Sequence, residues 1–225
     1  MQKNLKDRIE VIQVLLIRID MVNERQYSES EIYKEIKIVL PRSKEELEKD
    51  FSYLDLNYSN STRKDTHIKE CEFIDKQESK FAYDISKLMN DLIYRANDSG
   101  YSTPFENIKE FYNIVKKMNS HEREKLLAIM EAKREQIDFI GDAIKYAQNI
   151  DCFELEEIFD SVELARDIVH KGKIEIEDVM EYADLDRLGN DYAEDNKMVK
   201  TKYGYLKQEK ELTNYIEQNN EEELE

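Results

Sequence analysis

"IEVIQVLLIRIDMVNERQYSESEIYKEIKIVLP" (residues 9–41) decides whether this 225-residue chain is all-helical or mixed. Leu5, Ile9, Ile12, Leu16 and Ile19 would form one stripe of an amphipathic helix. The density of Ile and Val favours extended chain instead, because branched side chains fit a pleated, half-buried surface. Residues 31–41 repeat the strand-like pattern and stop at Pro41, which has no N–H to continue a ladder. Two such segments around the polar "NERQYSES" (23–30) predict a β-hairpin with a polar loop. "SKEELEKDFSYL" (43–54) predicts a short helix, with Ser43 and Glu46 spaced as a capping box, and "HIKECEFID" (67–75) predicts a third strand.

Helices are expected next, since the whole chain holds only two prolines and five glycines. In "DISKLMNDLIYRA" (84–96), Ile85, Leu88, Leu92 and Ile93 share one face. "TPFENIKEFYNIVKKM" (103–118) offers Thr103 as N-cap, Pro104 at the first helical position and Glu106 to close a capping box. Phe105, Ile108, Tyr112 and Ile114 or Val115 form its apolar stripe. A helix opening at Ser120 and another in "IDFIGDAIKYAQ" (137–148) complete a set too short to stand alone, so a bundle is expected. Beyond it, "DCFELEEIFD" (151–160) alternates like a strand. "SVELARDIVHKG" (161–172) reads as a helix with Ser161 as cap and Gly172 as stop, and "MVKTKYGYLK" (198–207) as a strand. The expected fold is α+β and elongated: an α/β unit over 1–80, a central short-helix bundle over 81–150, an acidic α/β unit over 151–206 and an acidic tail over 207–225.

Acids outnumber bases 51 to 34, a net −17 with a pI near 4.8. Such a chain is a poor direct binder of nucleic acid or of anionic membranes, both of which need cationic surface. A basic partner suits it better. The charge is also unevenly spread: residues 1–40 hold seven acids and seven bases, whereas 151–196 hold sixteen acids and four bases, a net −12. Concentrated like charge opposes folding through self-repulsion, which points to a surface kept for use. Cys71 and Cys152 stand far apart in no metal-ligand spacing, as expected of reduced thiols. The N-terminal apolar run is broken by Glu10, Gln13, Arg18 and Asp20, unlike a signal peptide or a membrane span. These features point to a cytoplasmic protein.

"MEYADLDRLGNDYAED" (180–195) approaches the spacing of a calcium-binding EF-hand loop. Asp184, Asp186 and Gly189 fit positions 1, 3 and 6. Leu188 falls where a ligand belongs, Asp191 where an apolar anchor belongs, and Asp195 where a bidentate glutamate belongs. A metal site is therefore not expected. His67, His121 and His170 lack zinc spacing, and no phosphate-binding loop, dinucleotide motif or nucleophile elbow occurs. No cofactor is expected, and nothing points to an enzyme.

The same stretch, continued as "YADLDRLGNDYAEDNKMVKTKYGY" (182–205), resembles the C-terminal signature of ArdA-type antirestriction proteins, matching at Tyr182, Asp184, Leu188, Gly189, Asp191, Val199, Gly204 and Tyr205. Upstream, "LPRSKEELEKDFSYLDL" resembles the family's proline followed by a capped acidic helix, and "CEFID" its next strand. The resemblance spans about residues 31–206. It departs in the first hairpin loop, in the inserted "NSTRKDT" and in the C-terminal tail.

What the resemblance implies is a dimeric DNA mimic carried by phages or mobile elements. Its carboxylates stand in for duplex phosphates and occupy the DNA groove of a type I restriction–modification enzyme, so that incoming DNA evades host defence. A dimer, at twice −17, would match the charge of roughly 60 Å of duplex. The carboxylates expected to do this are Asp151, Glu154, Glu156, Glu157, Asp160, Glu163, Asp167, Glu175, Glu177, Asp178, Glu181, Asp184, Asp186 and Asp191. Tyr182, Leu188, Gly189, Gly204 and Tyr205 are expected to shape the backbone that presents them. Two other readings of the same charge are an acidic scaffold for a basic protein and an inhibitor of another nucleic-acid-guided defence system, anti-CRISPR-like in action.

Overall fold

A computed structural model describes residues 15–27, 30–54, 66–75, 79–173 and 184–212. The fold is α+β: two three-stranded antiparallel sheets and seven α-helices among the described residues. Packing groups the chain into two compact units, residues 1–117 with 138–140, and 118–137 with 141–225. The central helices are shared between the two.

In the first unit, β1 (Leu16–Tyr27) and β2 (Ser30–Leu40) form the expected hairpin. The expected polar loop is nearly absent: pairing runs from Ile17↔Leu40 to Tyr27↔Ser30, so most of "NERQYSES" is strand. Among the described residues, pairing of β1 with β3 (Thr66–Ile74) ends at Asn23↔Thr66, and the β1–β2 hairpin runs on beyond it to Tyr27↔Ser30. Its ladder uses backbone groups only, so polar residues suit it. Residues 9–14 lie outside the described residues.

Strand order is β2-β1-β3. Ile17, Ile19 and Met21 of β1, Ile38 and Leu40 of β2, and Cys71 and Phe73 of β3 share one buried face. Helix α1 (Lys44–Tyr53) starts at the expected capping box: the Ser43 N–H donates to Glu46 Oε2 at 2.9 Å, and the Glu46 N–H to Ser43 Oγ at 3.3 Å. The bond from the Ser43 N–H, helped by the Ser43 side chain, holds the Glu46 carboxyl below its ordinary pKa. α3 (Phe105–Val115) sets Phe105 edge-on to Phe51 at 5.1 Å and Phe111 edge-on to Phe73 at 6.2 Å.

α3 lacks the expected capping box. Pro104 is itself the N-cap, with ψ 136°, and makes no side-chain cap bond. Thr103 falls one residue short of capping position and is buried instead, while Glu106 pairs with Lys109 at 3.3 Å. Val115 rather than Ile114 closes the buried stripe.

α2 (Lys80–Asp98) buries Ile85, Met89, Leu92 and Ile93, with Met89 in place of the expected Leu88. The same helix seals the outer edge of β3. Asn90 accepts the Cys71 N–H at 2.8 Å and donates to the Cys71 carbonyl at 2.9 Å. Ser86 accepts the Phe73 N–H at 2.7 Å, and Asn97 donates to the Ile68 carbonyl at 2.9 Å. An open strand edge invites pairing with other chains; here polar side chains of a helix close it. Asn90→Ala is expected to cost about 2 kcal/mol by leaving the Cys71 amide and carbonyl unpaired. A denaturation midpoint equal to wild type would show that this edge does not need the cover.

Candidate acidic interaction surface

The second unit carries the charge. It is built from α4 (Ser120–Ala132), α5 (Ile140–Gln148), β4 (Phe153–Glu156), α6 (Ser161–His170), α7 (Leu185–Asp195), β5 (Val199–Thr201) and β6 (Gly204–Gln208), in sheet order β4-β6-β5. The expected single strand over 198–207 is a hairpin, because Gly204 takes φ +122° and Thr201 Oγ1 donates to the Gly204 carbonyl at 2.8 Å. A Cβ on Gly204 would lie 2.2 Å from the Glu156 carbonyl oxygen, so glycine alone fits there. β6 runs one residue past the expected strand, to Gln208 in the expected tail, and the Glu209 N–H then donates to the Cys152 carbonyl at 2.8 Å. Residues 213–225 lie outside the described residues.

Phe153 and Leu155 are buried on one face of β4, with the Phe153 ring 6.1 Å from Tyr146 of α5. Glu154 and Glu156 face the other way, opposite Lys207 and Tyr205 of β6. On that second face Tyr205 joins Leu164, Ala165 and Ile168 of α6 and Leu188 and Ala193 of α7 in one cluster. α6 and α7 meet at Gly189, where a Cβ would lie 1.8 Å from the Ser161 carbonyl oxygen. Ser161 is not the cap of α6: Asp160 is, accepting the Glu163 N–H at 2.7 Å. Both residue types cap well, and the extended backbone of Asp160 (φ −138°, ψ 161°) decides between them. The freed Ser161 hydroxyl donates to the Asp186 carboxylate across the helix pair. At the far end of α6, Gly172 at φ +64° is the expected stop, with the Lys173 N–H bonding back to the Ile168 carbonyl.

The EF-hand spacing dissolves in this geometry. Asp184 is the N-cap of α7, accepting from Asp186 and Arg187 N–H groups at 3.0 and 3.3 Å, and residues 185–195 are helix rather than loop. No cluster of three or more metal-ligating side chains occurs among the described residues.

The described candidate carboxylates fall into three groups. Asp160, Glu163, Asp184 and Asp186 gather at the N-terminal ends of α6 and α7, where helix dipoles favour negative charge. Others meet basic side chains: Lys171 spans Glu156 at 3.3 Å and Asp167 at 2.8 Å, Arg187 meets Asp191 at 3.5 Å, and the His121 ring lies 3.4 Å from Glu157. Bonding to Asp167 and Glu156 raises the Lys171 pKa. Asp151 and Glu154 are exposed on the turn before β4 and on β4 itself. Glu175, Glu177, Asp178, Glu181 and Tyr182 lie outside the described residues. Two exposed acids missed from the sequence, Glu194 and Asp195, stand at the C-terminal end of α7 with no basic residue in that turn. There the dipole disfavours them, so they do not serve helix stability.

Burial pushes the Tyr205 phenol up, and Asp160 and Asp186 add to the shift. The fold thus favours neutral Tyr205. That contribution is complete below the ordinary tyrosine value of about 10 and is lost as pH rises through the higher folded value. Tyr205→Phe is expected to flatten the alkaline fall in melting temperature above pH ~10. An unchanged alkaline limb would place the titration elsewhere.

No family model and no curated protein matches this chain. Among the described residues, no helix is long and apolar enough to cross a membrane.

Proposed function

We propose that the chain is a DNA-mimicking antirestriction protein of the ArdA type. Its second unit would occupy the DNA-binding groove of a type I restriction–modification enzyme and exclude DNA competitively. The observation that carries this reading is the concentration of −12 of the net −17 within residues 151–196. Of the described carboxylates of that segment, Asp160, Glu163, Asp167, Asp184, Asp186, Asp191, Glu194 and Asp195, exposed or half-buried, belong to a helix pair and its caps, fixed by close backbone contact at Gly189. A groove that gains affinity by shedding counterions from phosphates can gain it likewise from carboxylates held at a rigid surface. No catalytic step is involved, and the partner is a protein rather than nucleic acid.

The test is cleavage of unmodified DNA by a purified type I enzyme with increasing amounts of this protein. Competitive occlusion raises the DNA concentration needed for half-maximal rate and leaves the maximal rate unchanged. A reduced maximal rate at unchanged DNA affinity would reject groove occupancy.

A further inference from the structure

The second unit also carries a basic element. Residues 197–210 hold five lysines and one acid, Glu209, a net +4 directly after the stretch at −12. They cover the end of α7 and the β5–β6 hairpin. In so acidic a unit, cations are expected to neutralise neighbouring acids, and Lys171, Arg187 and Lys207 do so. Lys197, Lys200 and Lys210 do not: all three are exposed, and none forms an ion pair among the described residues.

Backbone bonds fix their places. Lys197 ends α7 at φ 54°, with the Met198 N–H bonding back to the Ala193 carbonyl at 2.8 Å. That left-handed position favours glycine, which the matching end of α6 has at Gly172. Lysine there suits the helix dipole, but Lys200 and Lys210 belong to no helix. The Lys210 N–H donates to the Cys152 carbonyl at 3.2 Å. Lys200 pairs with Tyr205 in the ladder and lies over its ring, 6.0 Å from the centroid. Glu154 and Glu156 stand on the same sheet face from the other side of β6, about 10 Å away across two strand spacings. The basic edge of the sheet thus borders the acidic surface.

Lysines here weaken attraction to a cationic groove, because like charges repel across an interface. We propose that the hairpin is a second contact in the same complex: Lys197, Lys200 and Lys210 meet carboxylates that flank the partner's DNA groove. This rests on groove occupancy as proposed above. Its consequence is polarity. A duplex carries the same charge density in both directions, so a uniformly acidic mimic fits a groove either way round. A basic edge beside the acidic one admits only the orientation that sets lysines against acids.

Release of fluorescent duplex from a type I enzyme by the full chain tests this, because the two contacts answer added negative charge with opposite sign. Lys197→Glu/Lys200→Glu/Lys210→Glu changes the charge by two at each site, from −17 to −23. Attraction to a cationic groove alone would then improve. Contact with partner carboxylates instead turns three attractions into repulsions and should raise the release midpoint about tenfold or more. Lys49→Glu/Lys87→Glu/Lys117→Glu, at three exposed lysines of the first unit, reaches the same −23 and should leave the midpoint unchanged or lower. Melting temperatures check that each set is folded. The neutral set Lys197→Gln/Lys200→Gln/Lys210→Gln, expected to raise the midpoint a few-fold, carries the test where the reversed set is not. Hairpin variants that release duplex as readily as the first-unit set would overturn the hairpin contact and leave groove occupancy standing. A wild type that releases no duplex would overturn both. Duplex bound by this protein without the enzyme, and lost in the hairpin variants, would make the lysines a nucleic-acid contact and overturn the proposal too.

Discussion

Gly189→Ala is expected to unfold the α6–α7 pair, although alanine is the better helix former by about 1 kcal/mol. The added Cβ would stand 1.8 Å from the Ser161 carbonyl oxygen and 2.6 Å from its carbon. Both are backbone atoms, so no flexible side chain can move aside, and relief requires separating the helices. That exposes Leu164, Ile168, Leu188 and Tyr205, which are buried together. A net loss of about 3–5 kcal/mol is the scale for such overpacking and core exposure. Gly141 supplies the control. It also lies in a helix, but its added Cβ meets nothing within 4 Å. Gly141→Ala should leave stability unchanged or raise it by up to about 1 kcal/mol. Melting temperatures that fall in the first variant and hold in the second would assign the effect to the helix crossing. Equal effects would not.

Neutralising the acidic surface should abolish inhibition in steps rather than at one residue. Exposed charges each contribute about 0.5 kcal/mol, so Glu154→Gln or Glu163→Gln alone should weaken inhibition only a few-fold. Asp151→Asn, Glu154→Gln, Glu157→Gln, Glu163→Gln, Glu194→Gln and Asp195→Asn combined remove roughly 3 kcal/mol, more than a hundredfold. None of these six side chains caps a helix, and the small dipole loss at Glu163 is offset by the gain at Glu194 and Asp195. Melting temperature should therefore hold or rise as self-repulsion falls, most of all from neutral residues at the C-terminal end of α7. Inhibition measured beside thermal stability separates this from an enzyme. A single neutralisation that destroys activity in a folded protein would mean that a discrete catalytic carboxylate exists.

How far the sequence could be read depended on which atoms do the work. The hairpin, the Ser43–Glu46 box and the Gly172 stop were legible because side-chain chemistry dictates them locally. The length of the hairpin was not, since strand pairing needs only backbone bonds and tolerates "NERQY" as readily as "IRIDM". Thr103 and Glu106 had the right spacing for a box, but the cap position fell on Pro104. The polar stripe Ser86, Asn90 and Asn97 on an otherwise apolar helix face was a readable signal of an edge needing partners. In the acidic unit the charge was plain from sequence. Its division was not: a carboxylate that caps, as Asp160 and Asp184 do, looks the same in sequence as one that faces solvent, as Glu154 does.

Occupancy of a DNA groove is tested most directly by asking whether duplex DNA and this protein can bind a type I enzyme together. The enzyme is saturated with fluorescent duplex, this protein is titrated in, and bound DNA is followed by anisotropy at low and at high salt. Mimicry predicts complete release of the duplex, with the midpoint moving steeply to higher protein concentration as salt rises, because screening shortens the reach of surface charge. A ternary complex that retains the duplex at saturating protein would contradict it.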